Sequence, residues 1–230
     1  MHELISHLKD KQWLWQGSQQ PSHIDRTSTG FDHLDQQLGG GYPNNGVIEL
    51  TTALGIGELR LLQPHLAAAC GERLIALIGL PDELCLESFT SMGINFSQLL
   101  LVNSQESKSQ LWAAEQCLKS GACSHVLLWQ EDIEVHQARR LQVAAEQGSA
   151  IQFLFTQRHQ RTFSLPVSLS MNLHAQPYGL NVTITKQKGG WPTEPFFVDM
   201  RQYWPQLVPK HLISQGTPST VVPFPMQLQG

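Results

Sequence analysis

Val47-Ile48-Glu49-Leu50-Thr51-Thr52-Ala53-Leu54-Gly55-Ile56-Gly57-Glu58-Leu59-Arg60-Leu61-Leu62-Gln63-Pro64 decides how this chain is read. An apolar run passes through small residues into leucines at helical spacing. Strand, loop and helix in that order make the layout of a phosphate-binding loop. A working loop reads G-x-x-x-x-G-K-[ST]. Its glycines let backbone N–H groups close on phosphate, its Lys reaches the outer phosphates, and its hydroxyl holds Mg²⁺. Here the matching positions are Thr52, Gly57, Glu58 and Leu59. The bland alternative is an ordinary βα loop.

The energetics of that replacement are unfavourable to nucleotide. Two unit charges about 4 Å apart at an effective dielectric near 20 interact by roughly 4 kcal/mol. Glu58 in place of Lys reverses the sign of that interaction with a triphosphate. Leu59 cannot ligate a metal. The helix N-terminus returns only about 0.3–1 kcal/mol to an anion at an exposed site. The expectation is no catalytic residue, no cofactor, no metal and no ATPase.

Outward from this loop, Leu74–Ile78, Leu99–Val102, Val126–Trp129 and Ile151–Phe155 read as buried strands. Helical stretches alternate with them. The first follows the loop and places Leu59, Leu62, Leu66 and Ala69 on one face, with Pro64 expected to bend it or end its first turns. Others begin near Asp82 (Cys85, Phe89 and Met92 on one side), after an Asn103-x-x-Glu106 capping box, and at 132–147. Such alternation implies a mostly parallel sheet with helices on both faces. Beyond Phe155, Val167–Leu173, Leu180–Thr185 and Phe196–Met200 alternate apolar and polar residues. They are expected as antiparallel strands extending one sheet edge. The expected division is a lead-in over 1–27 with a short helix, a domain over 28–200, and a Pro-rich tail over 201–230.

Composition narrows the class. The net charge of −4 over 230 residues argues against a strong general nucleic-acid binder. Residues 1–150 hold 9 basic against 17 acidic side chains, and 151–230 hold 6 against 2. That polarity either guides a partner to one side or is an accident of few charges. The longest apolar runs are far too short to span a bilayer, and Met1-His2-Glu3 opens no secretory signal. A cytoplasmic protein is expected. The four cysteines contain no C-x-x-C pair and read as buried free thiols.

Taken together, the order of elements resembles the RecA core. Ser28-Thr29-Gly30-Phe31-Asp32-His33-Leu34-Asp35 with Gly39-Gly40-Gly41-Tyr42-Pro43 is similar to the glycine-rich lead-in of RecA-type proteins. Gly55-Ile56-Gly57-Glu58-Leu59-Arg60-Leu61-Leu62 with Pro64, Leu14-Trp15, and Lys186-x-Lys188-Gly189 resemble the ImuA family more specifically. That family comprises SOS-induced RecA-like proteins without a standard phosphate loop, which accompany error-prone translesion synthesis. The resemblance implies contacts with an ImuB-type polymerase homologue, RecA and an error-prone polymerase. Residues 59–161 also resemble SulA, the SOS cell-division inhibitor that binds FtsZ and blocks its assembly. SulA generally lacks both the glycine-rich lead-in and the late lysine-bearing strands.

Laid over RecA, the acid closing the second nucleotide-site strand falls at Gln130 or Trp129, with Glu131 and Asp132 next, and the water-activating glutamate falls near Pro81. Lys186 and Lys188 match the lysines with which a RecA subunit reaches its neighbour's nucleotide. They read here either as contacts to DNA phosphate or an acidic partner, or as solvated strand-edge lysines. Arg158 and Arg161 follow the strand where RecA's DNA loop begins, which suggests direct DNA contact. Trp13 and Trp15 must cover something apolar, either this protein's own core or a partner.

Overall fold

A computed structural model describes residues 25–69, 71, 73–81, 89, 93–157 and 164–205. The short strands β1 (Arg26–Thr27) and β2 (Tyr42–Pro43) pair antiparallel and bracket helix α1 (Asp32–Leu38). Then follow β3 (Gly46–Thr51), α2 (Glu58–Ala68), β4 (Leu74–Ile78), β5 (Leu99–Val102), α3 (Ser107–Lys119), β6 (Cys123–Trp129), α4 (Val135–Gln147) and β7 (Ile151–Thr156). Strands β8 (Leu169–Gln176), β9 (Gly179–Gln187) and β10 (Phe196–Asp199) close the order.

One eight-stranded sheet runs β10-β9-β8-β3-β7-β6-β4-β5. Successive residues of a strand point to opposite faces, so the apolar runs fill two cores. Ile48, Leu50, Leu77, Leu127 and Phe153 face α1 and α2. Val47, Ala76, Val126, Leu128 and Leu154 face α3 and α4. The fold is mixed α/β, a mostly parallel sheet flanked by helices.

Four expectations need correction. Leu99–Val102 is not buried: among the described residues it is the terminal strand, paired with β4 alone, and Leu100 and Leu101 are 37% and 47% exposed. Strand β8 does extend the sheet, but it lies parallel to β3 while pairing antiparallel with β9. Pro64 neither ends nor splits α2. The helix is continuous through it, and Pro64 packs where a Cβ on Gly30 would meet its ring at 2.4 Å. Finally, Asn103 does not cap α3. Glu106 occupies that place, and the capping box belongs to α4, where the Glu134 N–H donates to Gln137 Oε1 at 2.9 Å.

Ordered packing continues past the expected boundary at 201. Trp204 is buried against Phe31, and the Tyr203 hydroxyl donates to the Gly30 carbonyl at 2.9 Å. The helix expected near Asp82 lies outside the described residues apart from Phe89, which is fully buried. At the sheet's far end, Arg73 precedes β4 and its guanidinium donates to the carbonyls of Cys123, Gly148 and Ser149. Among the described residues no helix is long and apolar enough to cross a membrane.

Candidate functional site

The loop lies at the carboxyl end of β3. The Thr52 N–H donates to the Thr156 carbonyl at 2.9 Å, so the sheet continues one residue beyond Thr51. The chain then turns through Gly55 (φ 75°) and Gly57 (φ 111°) into α2. Both angles are in the left-handed region that side chains disfavour, and this conformation turns amides inward as an anion-accepting nest.

The anion comes from the chain itself. Glu58 is 1% exposed. Its Oε1 accepts the Gly55 N–H and its Oε2 accepts the Gly57 N–H, each at 3.1 Å. Its charge also complements the helix N-terminus it opens. The carboxylate therefore occupies amides that a phosphate oxygen would need. Leu59, where a metal-binding hydroxyl would stand, is buried among the apolar side chains of the core. Thr52 Oγ1 donates to the Ala53 carbonyl at 2.8 Å. All four loop positions named from sequence lie together at this end of β3, with the Thr52 hydroxyl and the Glu58 carboxylate bonded within the loop.

Beside the loop, a cleft of about 140 Å³ is lined by Thr52, Leu54, Pro81, Trp129, Gln130 and Glu131, among others. Trp129 stacks on Phe155 with centroids 4.6 Å apart and planes at 6°. Aromatic surface stands where the RecA comparison puts an acid. The Gln130 amide is drawn toward α3, donating to Ser107 Oγ at 2.7 Å. Glu131 is the acid left at the cleft.

The lysines lie at the opposite end of β3. The Lys188 N–H donates to the Ser168 carbonyl, and the Ser168 N–H donates to that of Val47, both at 2.9 Å. Lys186 Nζ donates to the Leu165 carbonyl. Burial lowers the Lys186 pKa, partly opposed by Glu49. Lys188 is exposed, 3.6 Å from Glu146 on α4. The two therefore form no cluster with the loop. Arg158, Arg161, Trp13 and Trp15 lie outside the described residues.

Sequence reading missed a buried histidine pair behind α2. His65 Nε2 and His125 Nε2 are 3.2 Å apart. His65 Nδ1 must donate to the Ser28 carbonyl, 2.9 Å away. Neutral His65 therefore accepts at Nε2, and His125 donates there. Burial first, then the charges of His65 and Arg73, push His125 down to about 3. Burial also lowers His65, against the Ser28 carbonyl and Asp35. At 60 positions apart in the sequence, no local spacing announces this contact.

No protein-family model matches the chain, and no curated protein matches it. Among solved structures, SulA from Pseudomonas aeruginosa is similar at 25% identity and a TM-score of 0.43. The match covers 49% of this chain and 98% of that one.

Proposed function

We propose that this chain is a non-catalytic RecA-like accessory protein of the SOS DNA-damage response, of the ImuA type. It supports error-prone translesion synthesis by contact with an ImuB-type protein, RecA and an error-prone polymerase. The observation that carries the non-catalytic part is the Glu58 carboxylate seated on the amides of Gly55 and Gly57. A triphosphate entering there would have to displace a buried, doubly hydrogen-bonded anion and would find no lysine at 58 and no hydroxyl at 59. The RecA part is supported by the order of elements along the chain: a glycine-rich lead-in, the loop strand β3 with α2, alternating strands and helices, then β8 to β10. The partners come from the sequence resemblance.

Two measurements test the reading. Titration with Mg·ATP is expected to give no binding at micromolar nucleotide and no turnover. Affinity capture from DNA-damaged cells is expected to recover the polymerase partners. Absence of binding to both purified ImuB-type protein and RecA filaments removes the accessory role.

A second reading, a SulA-type inhibitor of FtsZ assembly, is favoured by the resemblance of residues 59–161. It predicts filamentous cells on overexpression and lowered FtsZ GTPase in vitro. Direct DNA contact is a further reading. It predicts a salt-sensitive shift of single-stranded DNA that Lys186→Ala with Lys188→Ala abolishes.

A further inference from the structure

Helices α3 and α4 pack against each other, and a groove of about 320 Å³ opens between them. Its lining positions on α3 (108, 111, 112 and 115) and on α4 (136, 137, 140 and 141) recur at helical spacing, so each set forms one face. Leu111, Trp112 and Leu141 supply apolar surface. Leu141 is buried, but Trp112 is 64% exposed. Val143, one turn beyond Arg140 on α4, is 54% exposed. Trp129 and Trp204, by contrast, are buried. An indole left in water beside other apolar side chains marks a contact surface.

Charge says what kind of contact. Lys108, His136 and Arg140 line the groove, and Glu115 is its only lining acid. Glu115 is buried, and its two oxygens accept hydrogen bonds from Lys119 Nζ and Arg140 Nη2. Glu134, just outside, is engaged by His136 at 3.0 Å and by the backbone of α4. Arg140 keeps further guanidinium donors. Lys108 is exposed and has no ion-pair partner among the described residues. The charge that remains is positive and stands beside apolar surface.

We propose that the α3–α4 groove docks an acidic amphipathic helix of a partner protein, with Leu111, Trp112 and Leu141 receiving a large apolar side chain and Lys108 and Arg140 receiving carboxylates.

This gives a surface to the partner contact proposed above and rests on that reading only for the identity of the partner. A third helix suits a groove between two, because side-chain ridges on one helix seat between those of its neighbours. Apolar exposure also continues along the His136, Arg140 and Val143 face of α4, past the groove itself. A nucleic acid fits less well, since Glu115 and Glu134 interrupt the cations that a phosphate backbone would follow.

The test uses the full chain. A phage-displayed library of random peptides is selected on it and counter-selected on the double variant Lys108→Glu with Trp112→Ala. Both positions are exposed, so the double and single variants should keep the circular dichroism and unfolding midpoint of the parent. The enriched peptides should combine Asp or Glu with Leu, Phe or Trp at helical spacing. A fluorescein-labelled synthetic copy of the most enriched one, followed by anisotropy, should lose about tenfold or more in affinity with Trp112→Ala, and likewise with Lys108→Glu. Added salt should weaken it, and so should replacing its acids by Asn and Gln. The proposal is overturned if the enriched peptides are basic or uncharged, if none is enriched over the double variant, if either single variant binds as tightly as the parent, or if single-stranded DNA displaces the peptide. Should the native chain bind such a peptide but neither ImuB-type protein nor RecA filaments, the accessory role falls and the groove stands.

Discussion

At the scale of single residues, Glu58 has two effects. Against a nucleotide it is a misplaced charge, and within the fold it satisfies two amides that turn inward at left-handed glycines. Glu58→Ala leaves those donors without their acceptor, a loss of about 1–3 kcal/mol, measurable by urea unfolding. Glu58→Gln keeps one acceptor oxygen and should lose less. The acid at position 58 is legible in the sequence, but the self-occupied loop is not, because it depends on two φ angles and a rotamer. The histidine pair is likewise invisible until the fold brings α2 and β6 together. It faces Asp35, Tyr42 and Arg73. Both rings titrate below the ordinary 6.5 in the folded protein. Their contribution to stability is therefore complete above about pH 6.5 and is lost as pH falls through that value toward 3. His125 alone should remove about 2 kcal/mol between pH 6.5 and 5. Unfolding free energies across that range check this, and His125→Gln should flatten the dependence.

At the scale of elements, periodicity located most strands and helices, and its failures share one cause. A run such as Leu99-Leu100-Leu101-Val102 shows apolarity but not which neighbours cover it. Strand β5 is last in the sheet, so two of its leucines meet solvent. Similarly, alternation in Leu169–Gln176 reveals a strand and is silent about its direction, which β3 on one side and β9 on the other decide differently. Pro64 does not end α2, because its effect depends on context. A helix loses one hydrogen bond there, and contact with the Gly30 turn offsets part of that loss. The edge gives a direct check. Leu101→Lys should change stability by no more than about 0.5 kcal/mol and should reduce aggregation on concentration, since an edge charge discourages strand pairing between molecules. Light scattering together with thermal unfolding reads both.

At the scale of the molecule, the two faces of the sheet carry separate cores, and the loop and the lysine pair occupy opposite ends of β3. That separation keeps the loop and the lysine pair from forming one site. Fold class was legible from the alternation of elements, because layer architecture follows from burial pattern. Partner surfaces were not, because exposed side chains carry no periodic signature. Arg73 has a consequence at this scale. One guanidinium gathers carbonyls from positions 123, 148 and 149, some 50 to 76 positions along the chain. Such a knot joins early and late portions of the polypeptide, so neither can fray without releasing the other. In native-state hydrogen exchange, amides of β4, β6 and β7 should therefore open together. Arg73→Ala should uncouple them, with the β4 amides exchanging first.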